Sequence, residues 1–437
     1  MPLSTLKLLL AWLWFFILLL SYYILKPIRD GIGSILSEEL DFWYLVTFVF
    51  IVLTMAGYAH LVRIFRTQWL VFAVYQGFAA CLIAFAVSIV FWPSLPKWYA
   101  GTFFVWVSVF NLCSVALFWS VIADLYTKDE GQQWFGVLAG AGSVGALVGS
   151  SITIHATQFI GHQGLILSSL VGIELSFALA WWMITIHERI IEPSTNSAGD
   201  SIDSTESAHG KVLANENSGG RLPKEDVEIS PTLWQGFLRI LGSSYLLAIC
   251  LYVVLGKFSA TYIYNNLQSA MFFGVSSSER RTEIFAQMNL AVQVGSMVLQ
   301  YLIVSWLFRF IGIRSVLAIP CVLMMVLFGA LYVDSSLYIL IGAQIIQQMA
   351  GYGLMIPSQN LLFTVVPRHD KYVSKGFIDT IVFRFSDVIA SKLCTLLRST
   401  SLTLGTLSIY LLPILMVWLV VSQRLGREFG QANRPTI

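Results

Sequence analysis

The sequence alternates between long apolar runs and short polar or charged turns. An α-helix needs about 20 apolar residues to cross the hydrocarbon core of a bilayer, and the runs have this length. The pattern predicts an all-α integral membrane protein with twelve transmembrane helices. The predicted spans are 5–26, 42–62, 69–92, 98–125, 134–157, 164–186, 243–266, 284–308, 313–333, 337–365, 372–397 and 402–423.

The segment 187–232, between the sixth and seventh spans, breaks this pattern. It is polar and acidic and has no hydrophobic periodicity, a composition that predicts a disordered linker. The linker separates two predicted six-helix bundles, 1–186 and 233–437. After it, 233–241 is amphipathic, which predicts a helix lying along the membrane interface.

The composition agrees with a membrane protein. Hydrophobic residues make up 57% of the 437 residues and charged residues only 11%, against about 25% charged residues in soluble domains. The mean hydropathy is +0.75. The five cysteines lie in apolar runs without metal-ligand spacing, which indicates small core side chains. The net charge of +2 indicates nothing about a partner, and we expect no nucleic acid.

Basic residues are distributed unequally between the two sides of the membrane. With the N-terminus inside, 17 of the 26 lysines and arginines fall in or beside cytoplasmic segments. The positive-inside rule therefore predicts that both termini and the linker are cytoplasmic. Charged turns, such as 61–66 and 307–314, recur at matching places in the two bundles. This repetition fits the parallel repeats of the major facilitator architecture. We expect a monomer in a cell inner membrane.

The first span ends in an unusual charged stretch. It places Lys26, Arg29 and Asp30 around Pro27, a residue type that breaks helices. Charges in or beside a bilayer are costly, and they usually face a cavity in which they bind ions or substrate. The alternative is that Lys26 and Arg29 reach the lipid headgroups and simply end the helix. Because other spans contain charged partners, we favour a role in lining a central cavity.

The eleventh span carries five ionisable residues, namely Lys375, Asp379, Arg384, Asp387 and Lys392. They cannot all face lipid, where each would cost several kcal/mol. One hypothesis is pairing within the helix, of Lys375 with Asp379 and of Arg384 with Asp387. The hypothesis that we favour is that Asp379, Arg384 and Asp387 line a cavity, because ionisable residues inside the membrane usually serve function.

Other polar residues lie within apolar spans. Lys257 of the seventh span either attracts an anion in an aqueous cavity or pairs with Glu174 of the sixth span as a structural tie. Glu174 is thus also a candidate for lining the pathway. Polar stripes in a membrane indicate either interhelical hydrogen bonds or a wetted pathway. The uncharged candidates for the pathway are Asn111, Asn289, Gln293, Gln344 and Gln348.

The fifth span contains two pairs of glycines four residues apart, Gly136/Gly140 and Gly145/Gly149. This spacing aligns small faces and predicts close helix packing. A nucleotide-binding loop is the alternative, but the glycines lie within a membrane span. The sequence contains no recognisable nucleophile–base pair, metal cluster or phosphate loop, so we expect no enzyme, no metal and no cofactor.

Three blocks of the sequence carry a resemblance to a known family. They are Leu25-Lys26-Pro27-Ile28-Arg29-Asp30; Phe118-Trp119-Ser120-Val121-Ile122-Ala123-Asp124 with Asp129-Glu130-Gly131 and Phe135-Gly136; and Pro367-Arg368 with Lys371-Tyr372, Lys375-Gly376-Phe377-Ile378-Asp379, Arg384 and Asp387. These blocks resemble the nucleotide transporter family, that is, the ATP/ADP-type exchangers and their bacterial relatives, in the major facilitator superfamily. With the twelve-span layout, the similarity covers most of the chain.

The resemblance implies roles for particular positions. In ATP/ADP exchangers, basic residues of the first and eleventh spans and acidic residues of the fourth and seventh matter for nucleotide transport. Arg29 matches the basic position of the first span. This chain has Val107 at the acidic position of the fourth span and Asp387 near the basic position of the eleventh. The resemblance therefore implies a secondary transporter of this family rather than nucleotide exchange in particular.

Together these features predict a secondary active transporter for a small anionic solute, working by alternating access. Lys26, Arg29 and Lys257 would attract the anion, and Asp379 and Asp387 would supply countercharge or a protonation site. The alternative is a proton-coupled symporter or exporter of another small solute, and a third hypothesis is a scaffold or sensor without transport. The expected partners are the solute, a coupling proton or counter-substrate, and membrane lipid.

Overall fold

The computed structural model describes residues 3–92, 96–196, 233–400 and 402–432. All regular secondary structure in these ranges is helical. The α-helices are α1 (Leu3–Gly33), α2 (Leu40–Ile64), α3 (Thr67–Phe91), α4 (Lys97–Leu125), α5 (Lys128–Asn196), α6 (Leu233–Gly242), α7 (Ser244–Gly274), α8 (Ser278–Val298), α9 (Ser305–Phe310), α10 (Gly312–Val333), α11 (Leu337–Ala350), α12 (Ile356–Leu362), α13 (Arg368–Phe377), α14 (Phe383–Arg398), α15 (Leu404–Tyr410) and α16 (Leu412–Ala432).

Short helical segments of other types connect several of these helices. One-turn π-helices, Leu299–Val304, Gly351–Met355 and Ile378–Val382, join α8 to α9, α11 to α12 and α13 to α14. Such π-helices often occur at functional sites. Helix α5 continues beyond the predicted end of the sixth span to Asn196, and the rest of the predicted linker, 197–232, lies outside the described residues.

The membrane spans agree with the sequence pattern. Ten helical stretches of the described chain are long and apolar enough to cross a membrane, judged by length and composition. One of them, Gln133–Ile186, contains both the fifth and the sixth predicted spans. The charged eleventh span, which forms α13 and α14, is not among the ten. The prediction of an all-α integral membrane fold is therefore confirmed, and these two differences account for the predicted number of twelve.

Gly161 divides the long helix α5 into its two spans. Gln133–Ile186 contains 54 residues, and a straight α-helix of that length would extend roughly 80 Å, far beyond a hydrocarbon core of about 30 Å. Gly161 has φ 61° and ψ −171°, a conformation that is costly for any residue with a Cβ atom. A glycine at this position therefore allows the fifth span to end and the sixth to begin without an intervening loop.

Pro27 does not end α1, contrary to the sequence-based expectation, because the helix continues to Gly33. A proline inside a helix removes one backbone hydrogen bond, the bond to the carbonyl four residues earlier. In membrane helices, neighbouring groups commonly satisfy the freed carbonyl. The consequence is that Arg29 and Asp30 stay on a regular helix surface that packs against other helices instead of entering a loop.

The buried apolar residues form two large clusters, each confined to one part of the chain. The first contains residues from Leu10 to Ile184, and the second contains residues from Ile240 to Phe429. We therefore call 3–196 the N-terminal half and 233–432 the C-terminal half. Each half has its own apolar core, so the contacts that join the halves lie outside these two cores.

Close packing of α5 against α1 depends on two glycines. A Cβ atom on Gly145 would collide with the backbone carbonyl of Phe16, and one on Gly149 would collide with that of Leu20. The predicted close approach is therefore present at these two positions. It is wrong for Gly136 and Gly140, since a Cβ atom there would meet nothing within 4 Å.

Polar contacts between the halves concentrate toward the side that the sequence predicts to be outside. Nearer the membrane centre, Tyr264 contacts Asp30 and Gln293 contacts Tyr23. Among the contacts that the structure describes, none joins the predicted cytoplasmic turns of the two halves. The outer contacts are Lys392 to Asp41 (2.9 Å), Arg398 to the carbonyl of Ser37 (2.8 Å), Gln158 to Glu283 (2.8 Å) and His162 to Thr282 (3.0 Å).

Candidate functional site

A cavity of about 290 Å³ lies between the halves. Helices α1, α2 and α4 form its wall on the N-terminal side. Helices α7, α11, α12 and α14, with the π-helix between α11 and α12, form the wall on the C-terminal side. Its charged lining residues are Lys26, Arg29, Asp30, Lys257, Arg384 and Asp387. All six are residues that the sequence singles out, and the fold brings them together from three separate helices.

Arg29 and Asp30 form an ion pair on α1. The Nη2 and Nε atoms of Arg29 donate to Oδ1 of Asp30 at 2.7 and 3.0 Å. The same oxygen accepts a hydrogen bond of 2.9 Å from the hydroxyl of Tyr264, on α7 of the other half. Arg29 also reaches Ser108 at 3.4 Å and stacks over the ring of Phe104. Arg29 is therefore well satisfied, and through Asp30 it supports a contact between the halves.

Lys257 and Asp387 form the corresponding ion pair in the C-terminal half. The ammonium of Lys257 lies 3.0 Å from Oδ1 of Asp387, and the same oxygen accepts a hydrogen bond of 2.8 Å from Thr261. The ammonium also lies 4.1 Å from the centre of the Phe383 ring, in a cation–π contact. The carboxylate of Asp387 is therefore held by two residues of α7, one turn apart.

Lys26 and Arg384 are different, because neither has a hydrogen bond or an ion pair with any residue that the structure describes. Lys26 is only 7% exposed, and its ammonium lies 5.2 Å from the centre of the Tyr23 ring. Arg384 is half-buried, and its guanidinium lies 5.8 Å from the centre of the Phe383 ring. Among the described residues, each half thus contributes one cation to the cavity that has no ion pair.

The rest of the lining combines aromatic rings with side-chain amides. The aromatic lining residues are Tyr22, Tyr44, Phe48, Phe104, Tyr264, Tyr352 and Phe383. The amide lining residues are Asn111, Gln344, Gln347, Gln348 and Gln359. Amides can both donate and accept hydrogen bonds, and aromatic faces suit apolar or planar groups and cations. The cavity can therefore hold a solute that has both a charged and an apolar part.

Four candidate residues are not among those that line the cavity. Glu174 accepts a hydrogen bond from Gln76 inside the N-terminal half, at 3.0 Å. Gln293 donates to the hydroxyl of Tyr23 at 2.6 Å, and Asn289 is 4% exposed. Asp379 accepts a hydrogen bond of 2.9 Å from Gln359 and reaches the lining only through that residue. Polarity alone could not separate these positions from the lining, because interhelical hydrogen bonds use the same residue types.

The pairings considered from the sequence are not the ones that form. Asp387 pairs with Lys257 of α7 rather than with Arg384 of its own helix. Lys257 therefore does not pair with Glu174, and Lys392 pairs with Asp41 of α2. Residues three or four apart on one helix are neighbours, but a facing helix offers better geometry here. The charges of the eleventh span thus connect helices to one another.

Several lining residues carry no strong signal in the sequence. Tyr44 and Phe48 are aromatic residues in an apolar span, and only the packing of the helices shows that they face the cavity, whereas Tyr352 lies four residues after Gln348. Thr261 and Tyr264 follow Lys257 at helical spacing, so their shared face with Lys257 could be anticipated. Helical spacing from a charged position is therefore a second sequence signal for uncharged lining residues, besides the polar residues within apolar spans that indicate Asn111, Gln344 and Gln348.

No protein-family model matches the sequence, and no curated protein is significantly similar to it. Solved structures do resemble the fold. A bacterial homologue of the human lysosomal transporter Spinster, in an inward-facing and unoccupied conformation, has a TM-score of 0.57 at 14% identity, covering 100% of this chain and 99% of its own. A mutant of the peptide transporter POT in complex with alafosfalin has a TM-score of 0.59 at 14% identity, covering 96% and 95%.

The nucleoside transporter NupG is a third similar structure, with a TM-score of 0.52 at 12% identity, covering 99% of this chain and 100% of its own. All three are membrane transporters of the major facilitator type. Similarity at such low identity concerns the fold. The described part of the chain therefore has the major facilitator fold, as the repeated charged turns predict.

Proposed function

We propose that the protein is a secondary active transporter that moves a small anionic solute across a cell inner membrane. The observation that carries this proposal is the cavity between the halves, whose lining has four basic side chains and two carboxylates. Ionisable residues in membrane spans usually line a substrate or ion pathway, because a charge inside a membrane is costly and is normally found where it serves function. The excess of positive charge favours an anion.

Alternating access would move the bundles 1–186 and 233–437 against each other, connected by the cytoplasmic linker 187–232. With both termini inside, the cross-half contacts of Lys392, Arg398, Gln158 and His162 lie at the periplasmic end. This arrangement supports a state that is closed to the outside and open to the cytoplasm. The Spinster homologue, whose fold is similar, is described as inward-facing.

Exchange of a phosphorylated or nucleotide-like anion is the form of transport that we favour. Its support is the resemblance of three sequence blocks to the nucleotide transporter family and the position of Arg29 in the cavity. Exchange predicts that counter-substrate inside liposomes accelerates uptake and that a proton gradient does not drive it. An unchanged rate with and without internal counter-substrate would exclude exchange.

Proton-coupled transport is the second candidate, and the pair of Lys257 with Asp387 favours it. An anion that attracts Lys257 would weaken the ion pair and leave the carboxylate of Asp387 free to take a proton. In that case Asp387→Asn abolishes accumulation against a gradient but spares counterflow, in which no net proton movement is needed. Loss of both activities in Asp387→Asn would contradict this role, provided that the variant remains folded.

The experiment that tests transport is a thermal-shift screen of the purified full chain against nucleotides, sugar phosphates, amino acids and peptides, followed by uptake of any hit in liposomes. A transporter of an anion shows stabilisation by a ligand class that carries negative charge. Stabilisation only by neutral or cationic solutes would overturn the anionic substrate. A ligand that binds without being transported would instead indicate a scaffold or sensor.

A further inference from the structure

The charges that line the cavity do not balance. Four cations face two carboxylates, and both carboxylates already belong to ion pairs, Arg29 with Asp30 and Lys257 with Asp387. The two remaining cations, Lys26 and Arg384, have no acidic partner in the part of the chain that the structure describes. One comes from each half, on α1 and α14. The residues that line the cavity therefore carry two more positive than negative charges.

The burial of Lys26 makes this imbalance informative. Lys26 is more than nine-tenths buried and lines the cavity, yet the contact that the structure describes for its ammonium is with the face of the Tyr23 ring, not with a carboxylate. A buried charge without a partner is costly, so proteins normally pair it or use it to bind a ligand. An ordinary structural lysine at this depth would have a carboxylate beside it, as Lys257 does.

Arg384 completes the same region of the cavity from the other half. Lys26, Tyr44 and Arg384 all line this one cavity, so the cavity receives from each half one cation that has no ion pair with a described residue. A guanidinium has a planar set of donors that matches two oxygens of one anionic group, whereas an ammonium acts as a point charge. Arg384 and Lys26 therefore offer complementary ways to hold oxygens.

We propose that the solute carries a compact group with two negative charges, a phosphate monoester, bound between Lys26 and Arg384. This inference rests on the proposed transport of an anion and specifies the chemistry of that anion. A phosphate monoester carries close to two negative charges at neutral pH and has three acceptor oxygens. It neutralises both cations at once, whereas a monoanion leaves one of them uncompensated.

The assignment also changes the expected role of Arg29. Its guanidinium is occupied by Asp30 and Ser108, so Arg29 is a positioning residue for Asp30, and Lys26 is the anion ligand on α1. Because Lys26 and Arg384 belong to different halves, a group that contacts both binds best when the halves bring the two cations together. A ligand favours whichever conformation it binds more tightly.

The first test compares sulfate, which is always a dianion near neutral pH, with nitrate, which is always a monoanion. Isothermal titration calorimetry at constant ionic strength measures binding to the purified full chain. We expect the wild type to bind sulfate at least tenfold more tightly than nitrate. Lys26→Gln and Arg384→Gln should each weaken sulfate binding about tenfold or more and remove the preference for sulfate.

Arg424→Gln is the matched control, because Arg424 is an exposed arginine paired with Glu428 of the same helix, outside the cavity. It should bind sulfate as the wild type does. Lys26→Arg keeps the charge and should retain the preference for sulfate, which separates loss of charge from loss of folding. Equal binding of sulfate and nitrate by the wild type, or unchanged binding in both Gln variants, would overturn the proposal.

The second test examines the phosphate group itself. Phenyl phosphate, a monoester with two charges, is compared with methyl phenyl phosphate, a diester with one, because the cavity has an aromatic lining. The monoester should bind to the wild type at least tenfold more tightly than the diester does. This preference should be absent in Arg384→Gln. Tighter binding of the diester overturns the dianion but leaves an anion transporter standing, whereas absence of binding by all four anions overturns both proposals.

Discussion

At the scale of single residues, the cavity shows which charges the protein itself satisfies. Asp387 accepts from Lys257 and Thr261, whereas Lys26 is buried without a carboxylate. The sequence identified the charged residues of the cavity because a charge inside an apolar run is rare and costly. It could not assign their partners, since pairing depends on how α14 faces α7, and that orientation is set by the packing of the whole bundle.

The ion pair of Lys257 with Asp387 leads to a prediction about stability. Asp387→Asn should destabilise the folded protein by about 2–4 kcal/mol, because removal of one partner leaves a largely buried ammonium without its carboxylate. Lys257 retains 20% exposure, so the effect should lie toward the lower end. The measurement is thermal unfolding of the purified protein in detergent, in the absence of added anions.

Two further variants make this prediction specific. The double variant Lys257→Met with Asp387→Asn should recover much of the stability, since it removes both charges together. Asp379→Asn is the control, because Asp379 accepts an amide hydrogen bond from Gln359 and has no ion pair within 4 Å in the part of the chain that the structure describes. If the double variant is less stable than Asp387→Asn alone, the ion pair does not explain the effect.

At the scale of helices, α1 is held against α5 by glycines that allow the two backbones to approach. The i, i+4 spacing identified both glycine pairs, but only Gly145 and Gly149 meet another helix, whereas Gly136 and Gly140 do not. A spacing pattern shows which faces are small. It cannot show whether a neighbouring helix covers them, because that depends on where the helices diverge.

Substitution of these glycines should lower the stability of the protein at one pair and leave it nearly unchanged at the other. Gly145→Val should destabilise the protein by about 1–3 kcal/mol or more, because the new side chain would collide with the backbone of α1 at Phe16. Gly140→Val is the matched control on the same helix, with open space around its Cβ position, and it should change stability little. Thermal unfolding in detergent measures both variants, and equal effects would refute the packing argument.

At the scale of the whole molecule, the halves make their polar contacts toward one end. The apolar periodicity predicted the helices and the charge asymmetry predicted an orientation, because both are properties of single helices and their flanks. Which end is closed could not be predicted. A protein that alternates between two arrangements has one sequence for both, so the choice depends on a small difference in free energy between them.

The outer contacts should therefore control the balance between these arrangements. Lys392→Ala with Gln158→Ala removes the contacts to Asp41 and Glu283 and should open the outer end more often. Each contact is partly exposed and contributes about 0.2–1 kcal/mol, so the pair should shift the ratio of the two states by about twofold to thirtyfold. Distances between spin labels on the outer ends of α2 and α14 report the change.

A control with the same kind of substitution lies within one half. Arg424→Ala breaks the ion pair with Glu428 on α16 and touches no residue of the other half. It should leave the distance distribution unchanged. A double variant with the same distribution as Arg424→Ala would show that these polar contacts do not hold the outer end closed.

The two uncompensated cations, Lys26 and Arg384, have an electrical consequence. An empty cavity that reorients carries about two positive charges through part of the membrane, and each full charge is worth about 2.3 kcal/mol per 100 mV. A cavity loaded with a dianion is close to neutral. A negative interior should therefore retain the empty carrier facing inward, so net uptake into inside-negative liposomes should slow as the voltage rises, while one-for-one exchange should not. Equal voltage dependence of both fluxes would contradict this difference.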